Sequence, residues 1–385
     1  VMIRDVAPAD LDALLAIRVR SFGHMSAGEA EEWKAKYTLS AQEGLLLGAY
    51  DGSRIMAGAR IADFRQWWYG RPLTCAGIAG VVVAPEDRGK GVARTMIRAV
   101  VERAAALGYP VSALYPSTTP LYRSCGWEHA GARHYYVIPT ESLRSVRPAH
   151  PVALRRMGPG DAAEVMLILH RVYSAARASG PVCATEVQWR QWLGDDRAFL
   201  YIADDGFIVY RWAGDALHVD HLAAASEHTA RTLWGLLGST SSTAKSIRAA
   251  LDPADPVFHM LGERGVLGVA LTPWMMRVVD LPTAVSARGY PTSVTADLTL
   301  DVDDPVRPGN TGLWRLTFTK GEGTAEPARP ADSATHVGVG AFSALYAGVP
   351  TDALRRSGLL TGGSPADDEV LDTVFAARPY MIDHF

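Results

Sequence analysis

The residues best suited to chemistry lie in one stretch, Val81-Val-Val-Ala-Pro-Glu-Asp-Arg88-Gly-Lys-Gly91-Val-Ala93. An apolar run ends there, a basic loop with two glycines follows, and a helical pattern begins. Such a loop turns several backbone N–H groups toward one point at a helix N-terminus, a ready site for an anion. Gly89 and Gly91 carry no Cβ and let the backbone approach a pyrophosphate closely. Arg88 and Lys90 add positive charge. A nucleoside-triphosphate loop is excluded, because G-x-x-x-x-G-K-[ST] is absent. Taken alone, the hexapeptide also fits an ordinary strand–turn–helix connection.

Two further groups can move protons. Tyr122, in Pro120-Leu-Tyr-Arg-Ser-Cys-Gly126-Trp, brings a phenol that can donate a proton if held within hydrogen-bond reach. Its other reading is an aromatic packed under a sheet. Phe385 carries an α-carboxylate at the end of the apolar tail Pro379–Phe385. Such a carboxyl has a pKa of about 3.3–3.7, and burial would raise it toward a usable base. The tail can span about 20 Å at about 3.3 Å per residue, enough to cross a domain interface. A tail docked only for packing is the alternative.

These groups need a scaffold, and an internal repeat supplies its outline. The segment from Val1 and the segment from Val152 share a short strand followed by an amphipathic helix. Arg4 matches Arg155, Pro8 matches Pro159 and Asp10 matches Asp161. The aspartate falls near each helix start, where the helix dipole favours it. In the first copy, strands are predicted over 44–50 and 55–64 around Asp51-Gly52, then over 77–83. A helix over 91–107, a strand over 111–115, a short helix over 120–125 and a strand over 134–138 follow. The second copy repeats the order with strands at 198–203, 206–212 and 217–222 and a helix at 229–237. Its counterpart of the basic loop, Ala223-Ala-Ala-Ser-Glu-His-Thr-Ala-Arg, has neither glycine nor a basic loop, so no anion site is expected there. The proline-bearing stretch 139–151 reads as a linker. After about residue 285 the pattern changes to alternating strands (295–302, 312–319) and short helices (341–347, 351–357, 367–377), a third, α+β unit.

Composition removes several classes. With 48% apolar and 21% charged residues the chain is an ordinary globular one. No uncharged apolar run of about 18 residues appears, so no membrane span is expected. A net charge of −3 without a long basic run argues against nucleic-acid binding. Cys75, Cys125 and Cys183 lie far apart without His/Cys clusters, so neither a disulfide framework nor a metal site is expected. No signal peptide is read at the N-terminus, and a cytoplasmic location is expected.

Arg88-x-x-Gly91-x-Ala93 after an apolar strand resembles the R/Q-x-x-G-x-G/A signature of the GNAT superfamily of N-acetyltransferases. Gly108–Trp127, Trp274–Ala284 and Ala287–Tyr290 are similar to the corresponding segments of its Eis-like (enhanced intracellular survival) family, and the C-terminal phenylalanine fits as well. The resemblance implies three domains: a GNAT fold at 1–148 with an acetyl-CoA site, a degenerate GNAT fold at 149–285, and a sterol-carrier-like α+β domain at 286–385. It implies direct acetyl transfer to an amine of a small molecule or peptide, in a homo-oligomer, as a hexamer.

Residue by residue, the resemblance gives Val81 and Val83 to the splayed strand beside the thioester and pantetheine arm. Arg88, Gly89, Gly91 and Val92 fall in the phosphate loop, and Ser117 also in the cofactor site. Tyr122 corresponds to the general acid and the Phe385 carboxylate to the general base. Phe22 and Trp33 correspond to the aromatic lining of the acceptor pocket. His24 and His384 stand where aminoglycoside-acetylating members carry carboxylates, and Gly80 where a phenylalanine is expected. Two imidazoles attract a polyamine less well than two carboxylates. Broad aminoglycoside activity is therefore not expected. Two other readings stay open: a non-catalytic lipid or small-ligand binder using the third domain, and acylation of a lysine or peptide N-terminus.

Overall fold

The computed structural model describes residues 1–262, 265–329 and 334–385. The first unit runs β1 (Met2–Asp5), α1 (Leu11–Phe22), α2 (Ala27–Gln42), β2 (Leu46–Asp51), β3 (Arg54–Trp68), β4 (Arg71–Val83), α3 (Val92–Ala106), β5 (Val111–Leu114), α4 (Thr119–Arg123) and β6 (Glu128–Pro139). A capping box starts α2: the Ser26 hydroxyl accepts from the Glu29 N–H while the Glu29 carboxylate accepts from the Ser26 N–H. Tyr69 and Gly70, both at positive φ, make the tight β3–β4 hairpin.

β3 and β4 are longer than their apolar runs predict. Polar Arg65 and Gln66 continue β3 because they pair with Val182 and Cys183 (β8) of the second unit. That unit contains β7 (Arg155–Arg156), α5 (Ala162–Ala175), β8, α6 (Glu186–Trp192), β9 (Phe199–Ala203), β10 (Gly206–Ala213), β11 (Ala216–Ala224), α7 (Glu227–Gly238), β12 (Ser246–Ala250) and β13 (Gly268–Val278). The two units share one sheet, in the order β1-β2-β3-β4-β5-β13-β6-β12-β11-β10-β9-β7. Each sends a strand into the other: β13 lies between β5 and β6, and β6 pairs with β12. The stretch 139–151 is not a loose linker. Thr140, Leu143 and Val146 are buried, and Gly235 and Gly238 of α7 let that backbone approach to where a Cβ would collide.

Helix α3 covers one face of the first unit's sheet. Val92, Met96, Ile97, Val100, Val101 and Ala104 recur at helical spacing and pack on Ala57, Ala59, Ile61 and Ile78. α1 and α2 cover the other face through Leu11, Leu14, Ile17 and Tyr37.

The third unit has α8 (Leu281–Ala287), β14 (Ala296–Asp303), β15 (Gly312–Thr319), β16 (Glu322–Pro327), β17 (Thr335–Gly338), α9 (Val339–Tyr346), α10 (Thr351–Arg356), β18 (Leu360–Gly362) and α11 (Pro365–Val374). Its sheet order is β16-β15-β14-β17-β18. A fully buried ion pair, Arg277–Asp304 at 2.7 Å, ties β13 to it. Arg288, also fully buried, has no carboxylate partner among the described residues. It is caged by Trp68, Tyr290, Tyr346 and Phe375 and donates to the Tyr346 carbonyl. The tail then returns to the first sheet as β19 (Tyr380–Met381), parallel to β6 at Ala132 and Arg133.

Candidate active site

The basic loop is built on a buried carboxylate. Asp87 accepts from Arg54 at 2.7 and 3.2 Å and from Lys90 at 3.0 Å. The Arg54 hydrogen bonds, then Lys90, hold its carboxyl at about 2. Lys90, expected to add free charge, is therefore committed to Asp87. Arg88 is exposed and donates to the Ser21 hydroxyl at 3.1 Å and the Val83 carbonyl at 3.4 Å. The amides are what the loop leaves open. Gly89 and Gly91 adopt φ +77° and +79°, with open space where a Cβ would stand. No side chain caps α3, so the amides that begin at Val92 keep orphan donors.

The second unit differs at the same place. Ser226 caps α7 by accepting from the Thr229 N–H at 3.3 Å, and the Asp205 carboxylate accepts from the Thr229 hydroxyl. A capped helix start beside a carboxylate repels an anion.

Strands β4 and β5 pair only where Cys75–Gly77 meet Val111–Ala113, and beyond that they part. Val81 and Val83, half-buried, lie on the freed part of β4. A bulge opposite Ala59 gives Gly80 φ +58°, and a Cβ on Gly80 would overlap the Tyr37 hydroxyl. Tyr37 stacks on Trp33 with centroids 3.8 Å apart. The tyrosine hydroxyl thus occupies the space in which a phenylalanine was expected.

Tyr122 is buried on α4 and packs edge-on against Trp127. Burial raises its phenol above the ordinary value, and the side chain of the exposed Ser117 opposes this. Phe385 reaches the fork between β4 and β5. Its ring meets Phe64 and Tyr115, and a Cβ on Gly77 would stand 3.0 Å from it. The tail is held there by polar contacts: Arg133 Nε donates to the Ile382 carbonyl and Tyr115 Oη to the Asp383 carbonyl, both at 2.7 Å. His221 of β11 lies 3.3 Å from the Asp383 carboxylate. His384 stacks on Tyr115; burial, then the Arg133 charge, lowers its imidazole below the usual value.

Of the residues singled out in the sequence, Trp33 and Gly80 come together through Tyr37, and His384 and Phe385 through Tyr115. Phe22 and His24 lie exposed at the end of α1 and in the α1–α2 connection. No ring contact joins His24 to His384 among the described residues. Sequence reasoning missed Tyr37, Arg60, Phe64, Tyr115 and Arg133. Alternation along β3 marks Arg60 and Phe64 as sharing one sheet face, which is the signal that was available.

Comparison with known proteins agrees with this architecture. A family model described as an acetyltransferase (GNAT) domain matches residues 2–130, a second of the same description matches 180–278, and a sterol carrier protein domain matches 281–382. The N-acetyltransferase Eis of Mycobacterium tuberculosis is 29% identical over 268 residues, covering 63% of this chain; the chain spans 65% of the length of that relative. The structure of Eis1 from Mycobacterium abscessus, at 21% identity, shares the fold over 100% of both chains with a TM-score of 0.77. A GCN5-related N-acetyltransferase from Kribbella flavida is 42% identical, covers 100% of this chain and 98% of its own, and superposes with a TM-score of 0.97. On that full-length likeness, the chain belongs to the GCN5-related N-acetyltransferase family, with the Eis-like order of two acetyltransferase domains and a sterol carrier protein domain.

Proposed function

We propose that the chain transfers an acetyl group from acetyl-CoA directly to an amine of a small molecule or peptide. The observation that carries this reading is the uncapped start of α3, with the open Gly89–Gly91 loop at the foot of the β4–β5 fork. We divide the chain into functional units at 1–148, 149–285 and 286–385 and assign the acetyl-CoA site to the first.

The residues present suit that co-substrate. The amides of Arg88–Ala93 would hold its pyrophosphate, the freed edge of β4 at Val81 and Val83 its pantetheine arm, and Ser117, beside Tyr122, would complete the cofactor site. Bound there, acetyl-CoA supplies an activated acyl group at the fork. The Phe385 carboxylate takes the proton that the attacking amine must lose. As the new C–N bond forms and the C–S bond breaks, the Tyr122 phenol delivers a proton to the sulfur. Phe22, Trp33, Gly80, His24 and His384 border the acceptor side. Apolar burial around Phe64 and Tyr115 excludes water that would otherwise compete as acceptor.

The chain would act as a homo-oligomer, a hexamer by family likeness. Val269 and Leu271 project from one face of β13 with Leu267 just before them, an exposed apolar stripe that a second copy would cover. A lipid-binding role has little support, since the third unit is filled by Tyr290, Phe318, Phe342 and Phe375 around Arg288. Thiol release from acetyl-CoA across polyamine, aminoglycoside, peptide and arylamine panels tests the reading. Release that depends on one class of amine supports it, and release with none overturns it.

A further inference from the structure

Resting on that reading, we infer that the acceptor is an amine carrying an anionic group, a carboxylate, which Arg60 recognises beside the β4 bulge.

Among the described residues three arginines are buried: Arg60, Arg277 and Arg288. Arg277 is paired with Asp304, and Arg288 is enclosed by aromatic rings and bonded to a carbonyl. Arg60 has neither arrangement. It is 7% exposed, its Nε is buried without a hydrogen-bond partner, and no carboxylate lies in ion-pairing range among the described residues. Its guanidinium lies over the Tyr37 ring, 5.8 Å from the centroid. Burial lowers its pKa, and the Tyr37 hydroxyl is the group that favours its charge. An unpaired buried cation is destabilising, and an anionic ligand would relieve that cost by pairing with it.

Its position fits that purpose. Arg60 pairs with Ala79 in the β3–β4 ladder, next to Gly80 of the bulge. It shares a sheet face with Phe64, whose ring touches Phe385. Five acids of the neighbouring elements are committed to other partners. Asp63 accepts from the Tyr109 hydroxyl at 2.9 Å on the opposite face. Glu29 caps α2, Asp12 pairs with Lys34, Glu86 with Arg20, and Asp383 with His221. On the acceptor side, by this reading, stand the Phe385 carboxylate, Arg60 and the His384 imidazole stacked on Tyr115. A guanidinium binds a carboxylate in bidentate fashion and would hold it while the amine meets the carbonyl at the fork.

The test compares amino acids with their carboxamides, for example 4-aminobutyrate with its amide and phenylalanine with phenylalaninamide, in the thiol-release assay. We expect kcat/KM to favour the carboxylates by at least about tenfold. Arg60→Met should bring that ratio close to one, through KM, and should raise Tm because an unpaired buried charge is gone. Equal rates for acids and amides in the parent overturn the proposal. So does an unchanged ratio in Arg60→Met accompanied by a fall in Tm, the signature of a merely structural arginine. Arg60→Lys covers the case in which Arg60→Met does not fold: an intermediate ratio supports the proposal, an unchanged one overturns it. Should no amine release thiol, acetyl transfer itself fails. The anion site is then judged by calorimetric titration of N-acetyl amino acids and their amides into CoA-loaded protein, where equal affinities overturn it.

Discussion

The ring of Phe385 meets the ring of Phe64 edge-on, with centroids 4.5 Å apart, so the chain's last residue completes the first unit's sheet face. In the proposed mechanism the carboxylate of Phe385, beside this contact, is the general base. A single glycine added after Phe385 moves the carboxylate by about 3.5 Å and keeps the ring packing. Turnover should fall by about 10²–10⁴-fold with acetyl-CoA affinity unchanged. Phe385→Leu, which keeps the carboxylate in place, should be milder. Steady-state kinetics beside calorimetric titration separates the two effects.

Tyr122→Phe removes the phenol while keeping the edge-on contact with Trp127. The rate should drop by about 10²–10⁴-fold, with little change in acetyl-CoA affinity. A loss confined to affinity would assign Tyr122 to packing.

Titration with acetyl-CoA should give one site per chain. Gly91→Glu adds a negative charge and a side chain at φ +79°, and should weaken binding at least about 100-fold. Ser226→Ala, which uncaps α7 in the second unit, should leave the stoichiometry at one, because residues 223–229 hold no glycine, lysine or arginine and the Asp205 carboxylate stands beside them. Two sites in the parent protein would refute the assignment.

Gly80→Ala should destabilise the protein by about 1–3 kcal/mol, from the positive φ and the overlap with the Tyr37 hydroxyl. In a Tyr37→Phe background the cost should shrink by about 0.5 kcal/mol or more, since the hydroxyl is the nearest obstacle. Urea unfolding of the four proteins in the cycle reads the coupling.

Asp255 offers a pH test away from the fork. Burial, then the nearby Asp252 charge, raises its carboxyl to about 6, although it accepts from the Val257 N–H. A carboxyl raised on folding binds its proton more tightly in the native state. Its contribution to stability is therefore greatest below the ordinary value near 3.8, declines as pH rises toward 6, and then stays low. Asp255→Asn keeps the cap and should raise Tm by about 2 °C or more at pH 7.5. At pH 4.5 the gain should be smaller. An equal gain at both values would sink the account.

The sequence alone determined what local pattern and composition can carry. Apolar spacing marked α3, two glycines and a basic loop marked the anion site, and the absence of both at Ala223–Arg231 marked the second unit as different. The change of pattern near residue 285 marked the third unit. Folding decided which distant groups meet. Nothing in the run Gly268–Val278 says that β13 will lie between β5 and β6, because strand partners are chosen by exposed edges and buried faces rather than by neighbours in the chain. For the same reason Lys90 read as free charge until Asp87 stood beside it. Gly80 likewise read as a missing side chain until Tyr37 filled its place. Arg60 was one charge in an apolar strand, and only packing showed that no carboxylate among the described residues reaches it. A cation's role depends on what surrounds it in space, and sequence spacing does not record that.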